Sequence, residues 1–287
     1  MSQANQPTLS DTLAAHAGCV AVPGCWDGLS ARLIEQSGFL AAFLSGGALA
    51  MARFGLPDMG FVSLTELAET TRAITTAINL PLIVDADAGF GNAINAGLTM
   101  RTLERAGAAA IILEDQTSPK RCGFIEGKSV ISAPEAAEKI MAACEGRKSG
   151  HTLVIARTDA ASIEGINAAI DRANLYVEAG ADMVFVSGPA SIADMALIHQ
   201  AIPQRIALVH NMVGGGVNPI ENKAQLDQLG FKIALHPLTL LSCFAHHADA
   251  ALQALHDHKP ISSAELSSLN TRVRTDDFIK TGLTYAD

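Results

Sequence analysis

Aromatic residues are scarce: one Trp, two Tyr and 10 Phe in 287 residues. Ala, Leu, Ile and Val must therefore build the core. Charge is sparse too, at 17% of residues, which is too little for a disordered chain and typical of one that hides much of its surface. No cluster of Lys and Arg occurs and the formal charge is −9. That excludes a nucleic-acid partner, which needs cations massed against phosphate. The cysteines number five, an odd count without a CxxC pair. Neither a disulfide framework nor a zinc site is expected, and a reducing, cytoplasmic location follows. No apolar run reaches the roughly 18 residues of a membrane helix. The polar start MSQANQPTLSDTLAAH does not read as a secretory signal. No membrane partner is expected.

What is present is an alternation. Eight short apolar, β-branched runs recur: 18–24, 40–46, 80–87, 108–115, 152–159, 182–188, 205–211 and 231–237. Amphipathic stretches of helical length separate them, and a last one, LTLLSCFAHHADAALQAL, follows the eighth run. Near-continuous apolar strands alternating with helices predict a parallel sheet covered on both sides. Eight such units are the number that closes a (β/α)8 TIM-type barrel. A doubly wound open sheet is the rival, but it rarely repeats so evenly. The reading is one α/β domain over 1–287, with the barrel over about 17–237 and a C-terminal helix and tail over 238–287.

Each apolar run ends in something polar: Ser45, Asp85 and Asp87, Glu114 and Asp115, Arg157 and Asp159, Ser187, Asn211, His236. The C-terminal strand ends of a barrel converge on one face, where active sites are built. Helix caps account for Asp159, Ser187 and Asp27. They account badly for paired Asp, an adjacent Glu–Asp and an Arg arriving together. Asp85 and Asp87 flank Ala86, so both side chains point one way. Carboxylates held that close call for a cation, and hard Mg²⁺, which uses one or two carboxylates plus water and substrate oxygens, fits. Mn²⁺ is the substitute. After Glu114 and Asp115 a loop of 17 residues, 116–132, runs to a helix at Ala133, long enough for a lid. Within it, Lys120 and Arg121 adjoin Cys122, and cations next to a thiol favour its thiolate. Cys122 is then placed to exchange a proton with a carbanion or enolate. Arg157 needs an anionic partner, either a substrate carboxylate or Glu114. His236 faces the mouth as a substrate contact or a core residue. His210, His246 and His247 read as structural.

Asp58 in GLPDMG, DADAGFGN, EDQTSPKRCG, ARTDA and HNMVGGG together resemble the isocitrate lyase/phosphoenolpyruvate mutase superfamily, in particular its methylisocitrate lyase-like and carboxyphosphonoenolpyruvate mutase-like members. The resemblance runs in order from PGCWDGLSARL to the eighth strand. It implies a Mg²⁺-binding barrel, a small anionic carboxylic-acid substrate and chemistry through an enolate. It also implies a homo-oligomer, dimer or tetramer, in which the last helix swaps between neighbouring barrels. By the resemblance, Asp85 and Asp87 bind the metal, with Asp58 and Glu114 in its outer shell. Ser45, Gly46 and Gly47 hold the substrate carboxylate, and Arg157, Asn211 and Gly123 contact the same ligand. Lys120 and Cys122 lie on the gating loop, with Cys122 as proton donor.

Four positions depart from the lyase pattern: Phe43 for Tyr, Phe124 for His, Ser187 for Glu and Gly214 for Glu. The metal and enolate half is kept, and the half that takes the departing fragment is rebuilt. The leading expectation is a lyase cleaving a 2-hydroxy di- or tricarboxylic acid of 2-methylisocitrate or alkylmalate type. The alternative is decarboxylation of oxaloacetate or another 2-oxo acid. Phosphonopyruvate-type P–C mutase or hydrolase chemistry ranks third, and a non-catalytic binding module last.

Overall fold

A computed structural model describes residues 8–123, 125, 127–213 and 219–285. Two of the departures, Phe124 and Gly214, lie outside the described residues. The chain opens with α1 (Leu9–Ala15), then β1 (Val20–Cys25), α2 (Gly28–Gln36), β2 (Ala42–Leu44) and the single-turn α3 (Gly46–Leu49). A π-helical turn, Ala50–Phe54, continues α3. Next come α4 (Leu64–Ala77), β3 (Leu82–Asp85), α5 (Ala93–Arg105), β4 (Ala110–Glu114), α6 (Ala133–Gly146) and β5 (Leu153–Thr158). The barrel is completed by α7 (Ile166–Glu178), β6 (Met183–Val186), α8 (Ile192–Ala201), β7 (Ala207–Asn211), α9 (Lys223–Gln228) and β8 (Ile233–His236). Beyond it lie α10 (Thr239–His256), α11 (Leu266–Arg272) and α12 (Thr275–Thr284). All eight expected strands form. They pair in parallel, in sequence order, and Val20 opposite Ile233 closes the barrel.

Strand periodicity decides what goes where. Alternate residues such as Phe43, Ile83, Ile112, Ile155, Phe185, Val209 and Leu235 fill the barrel interior. Leu9 and Leu13 of α1 join this cluster and plug one end. The other parity, Leu44, Val84, Ile111, Leu113 and Val154, meets the helix layer. Capping sharpens the strand-to-helix turns. Asp27, Ser63 and Asn92 each accept from the backbone of the first turn of α2, α4 and α5 in reciprocal capping boxes. Ser132 caps α6, so the loop after β4 ends where the sequence places it.

The C-terminal helices behave differently. No residue of α10, α11 or α12 is buried. Phe244, Leu252, Leu255, Phe278 and Leu283 are each more than half exposed. Among the described residues no helix is long and apolar enough to cross a membrane.

Candidate active site

The parity that fills the barrel carries on past its core, which is why the site forms. Two residues beyond Ile83, Ile112, Ile155, Phe185 and Val209 stand Asp85, Glu114, Arg157, Ser187 and Asn211. Register sets neighbours: Glu114 pairs with Arg157 across β4 and β5, and Asp85 with Ile112 across β3 and β4. A cavity of about 50 Å³ opens here, bordered by Ser45, Gly47, Asp58, Asp85, Cys122, Gly123, Arg157 and Asn211 on its polar side. Of the adjacent acids, Glu114 turns in and Asp115 turns out. Asp115 accepts from Thr158 Oγ1 at 2.6 Å, Tyr176 OH at 2.8 Å and the Asp159 N–H at 2.9 Å. It is a structural anchor.

Two chains of charge organise the mouth. In the first, Lys120 Nζ lies 2.5 Å from Asp58 Oδ1 and 2.7 Å from Asp87 Oδ1. Asp87 is held in the left-handed region, φ 47°, which Asp tolerates better than most residues. Burial pushes the Asp87 carboxyl up to about 6, with Lys120 pulling the other way. Burial also works against the Lys120 charge, but Asp87, Asp85, Glu114 and Asp58 outweigh it and hold the ammonium well above its usual range. In the second chain, Arg157 donates from Nε and Nη2 to Asp159 at 2.8 and 3.0 Å. Its Nη1 lies 3.1 Å from Glu114 Oε2. Burial lifts the Glu114 carboxyl well above the carboxylate range, although Arg157 opposes it. Burial acts on Asp159 in the same direction, but Arg157 and Lys128 win and hold it low.

The oxygen donors suit a hard divalent ion. Both Glu114 carboxylate oxygens and Asp87 Oδ1 are buried without a hydrogen-bond donor, though Arg157 and Lys120 stand within ion-pair range. A Cβ at Gly46 would meet Asp85 Oδ2 at 3.2 Å and Asp87 Oδ1 at 3.4 Å. The backbone therefore leaves room where these two carboxylates approach each other. No three acids among the described residues converge tightly enough to enclose an ion unaided. Asp85 and Asp87, with water and substrate supplying the other oxygens, are the set that fits Mg²⁺.

The structure corrects several expectations. Asp159 caps nothing with its side chain and instead neutralises Arg157, so Arg157 has two protein partners rather than one. Ser187 is buried and donates to Asp159, while Ser191 caps α8. Lys120 engages Asp58 and Asp87, and the Arg121 guanidinium lies against Gly127. His236 is half-buried at the end of β8, and the cavity is bordered there by Pro237 and Leu238. Ser45 does cap α3, accepting from the Ala48 N–H at 3.2 Å, and it also faces the cavity.

Sequence reasoning missed Lys128. Its Nζ donates to the Gly123 carbonyl at 2.6 Å and lies 3.4 Å from Asp159 Oδ1. The loop that carries Cys122 is thus fastened at both ends by a Lys reaching into the acid cluster. Gly123 is required between them, because a Cβ there would stand 2.9 Å from Arg157 Nη2. The signal available was a second Lys eight residues after Lys120 in the same loop.

A closed parallel barrel with carboxylates, an Arg and a loop-borne Cys at the C-terminal strand ends has an acidic site on the face where barrel enzymes build theirs. The family profile described as phosphoenolpyruvate phosphomutase matches residues 9–258, and the chain belongs to that family, within the isocitrate lyase/phosphoenolpyruvate mutase superfamily of enzymes. It is 39% identical over 260 residues to the 2-methylisocitrate lyase of Aeropyrum pernix, covering 91% of this chain and 82% of that one. It is also 39% identical over 218 residues to the 2,3-dimethylmalate lyase of Eubacterium barkeri, covering 76% and 75%. Among solved structures, oxaloacetate acetylhydrolase bound to 3,3-difluorooxalacetate superposes with a TM-score of 0.92 at 27% identity, covering 98% of this chain and 97% of that one.

Proposed function

We propose that this chain is a Mg²⁺-dependent carbon–carbon lyase that cleaves a small 2-hydroxy di- or tricarboxylic acid through an enolate. One observation carries the reading: the acid cluster of Asp58, Asp85, Asp87 and Glu114 lies beside Arg157 and beneath the Cys122–Gly123 segment of the loop. Similarity to the two lyases supports it. Asp85 and Asp87 would hold the ion, with Asp58 and Glu114 behind them; Mn²⁺ would serve in its place. Bound there, the ion supplies Lewis-acid stabilisation of the negative charge that develops on oxygen.

The chain's own groups do the rest. Ser45 and the Gly46–Gly47 backbone receive the carboxylate next to the hydroxyl-bearing carbon, and Arg157 and Asn211 orient the remainder. The hydroxyl proton leaves to the acid cluster, of which Asp58 and Asp85 border the cavity. As the hydroxyl carbon becomes a carbonyl, the C2–C3 bond breaks and its electron pair passes to the departing fragment as an enolate. Cys122 Sγ–H then protonates C3. Lys120, Lys128 and Gly123 keep the thiol over the site and exclude water.

A second reading takes a 2-oxo acid such as oxaloacetate, the acid in the name of the similar acetylhydrolase, and removes its distal carboxylate as CO₂. A panel of small 2-hydroxy and 2-oxo acids, assayed with and without Mg²⁺ for 2-oxo acid and CO₂ release, separates the two. The first reading expects a 2-oxo acid and a carboxylic acid in equal amounts without CO₂. Release of CO₂ in equal amount with a shortened 2-oxo acid, and of no second carboxylic acid, would replace it with the second.

The exposed apolar faces of α10–α12 carry a further part of the proposal, that the chain works as a homo-oligomer. Light scattering coupled to gel filtration is expected to give a dimer or tetramer; a monomer at micromolar concentration would refute it.

A further inference from the structure

We propose that a second cavity, behind the loop that follows β4, binds a small oxyanion between Lys139 and the first turn of α5. The cavity measures about 240 Å³ and is bordered by Asn92 at the start of α5, Ser118 on the loop, and Glu135 and Lys139 of α6. The buried Asp87–Lys120 pair also borders it. No bordering residue is shared with the strand-end cavity, so the proposal stands apart from the reaction assigned there. At about 30 Å³ per water, the space takes a phosphate with part of its hydration shell.

Lys139 carries the inference. It lies in the middle of α6, is only 7% exposed, and makes no hydrogen bond or ion pair with any described residue. Burial pulls its ammonium below the usual lysine range, with Glu135, Glu114 and Asp115 opposing from a distance. Each of the buried acids nearby has its own cation: Arg157 for Glu114, Arg172 for Asp115 and Lys120 for Asp87. Glu135 sits on the exposed rim, where water screens it. A buried ammonium in this position calls for an anion. The other side of the cavity offers matching donors. The 13-residue α5 begins at Ala93, and its positive end opens on the cavity at Asn92. Oδ1 of Asn92 accepts from the Ile94 and Asn95 N–H groups. That fixes the amide and leaves Nδ2, which has no acceptor among the described residues, to donate outward. The Ser118 hydroxyl also has no partner among the described residues. An oxyanion can accept from all three groups, whereas a cation or an apolar molecule would leave Lys139 unanswered.

The test is titration calorimetry of the full chain with inorganic phosphate or acetate, in phosphate-free buffer at constant ionic strength. A dissociation constant of about 1 mM is expected for the preferred anion. Preference for phosphate marks the ligand as tetrahedral, and preference for acetate marks it as a carboxylate. At about 10 mM the preferred anion should raise Tm by about 3–6 °C. Lys139→Met fills the same space without the charge. It is expected to weaken binding at least about tenfold and to leave Tm without anion unchanged or higher, since an unanswered buried charge is gone. Asn92→Asp keeps a residue able to cap α5 but puts a negative charge where the amide donated, and a similar weakening is expected. Glu135→Gln removes the rim charge and should tighten binding about two- to threefold. Failure of both anions to bind the unaltered protein, or binding that survives Lys139→Met or Asn92→Asp, overturns the proposal. So does a fall in Tm of Lys139→Met without anion, because the protein itself would then be answering the ammonium.

Discussion

Asp87→Ala is expected to lower kcat/KM by about 10³-fold or more and to abolish the rise in Tm that Mg²⁺ produces. The loss is large because the ion would stabilise charge that exists only in the transition state, a contribution of several kcal/mol. Stability should move the opposite way without metal. The buried Asp87 carboxyl titrates near 6, against about 3.9 for an unfolded Asp. The folded chain therefore binds this proton more tightly than the unfolded chain does. The stability it contributes is fully present below about pH 4 and is lost as pH rises through about 6. Metal competes with the same proton, so the Mg²⁺-dependent gain in Tm should be small at pH 5 and grow towards pH 8. Differential scanning calorimetry at several pH values, with and without Mg²⁺, reads both effects. A Mg²⁺ response in Asp87→Ala equal to that of the unaltered protein would remove the ion from this position.

Arg157→Leu is expected to cost about 3–5 kcal/mol of folding stability, because it strands buried carboxylates rather than merely deleting a contact. Glu114 and Asp159 are both almost fully buried, and Arg157 is the cation lying between them. At roughly 2–4 °C per kcal/mol for a chain of this size, Tm should fall by about 6–20 °C. Arg157→Lys should fall between the two proteins, since a single ammonium cannot reproduce the paired bonds to Asp159 while also reaching Glu114. Urea denaturation gives the comparison. A loss under about 1 kcal/mol in Arg157→Leu would mean that Glu114 takes up a proton and needs no partner, and the charge chain would then be dispensable.

The eight strands, their order and the convergence of Asp85, Asp87, Glu114 and Arg157 were readable from the chain alone. Apolar period and capping are local properties, and a closed barrel leaves little freedom in where strand ends meet. The partners of those residues were not readable. Asp159 has the spacing of a helix cap, and only the crowding of Arg157 against it redirects its carboxylate. Ser187 was misassigned for the same reason, because its neighbour is set by the packing of β5 beside β6. Lys128 carried no mark beyond being a second Lys in the loop of Lys120. Its role follows from the return of the loop towards Asp159, 31 residues further along.

Architecture and acidic mouth were thus already written in the order of the amino acids, since hydrophobic rhythm and strand-end chemistry repeat within each βα unit. Which charges neutralise one another emerged when the barrel closed and the loop folded over it. Such pairings depend on distances between segments remote along the chain, and no short-range pattern encodes them.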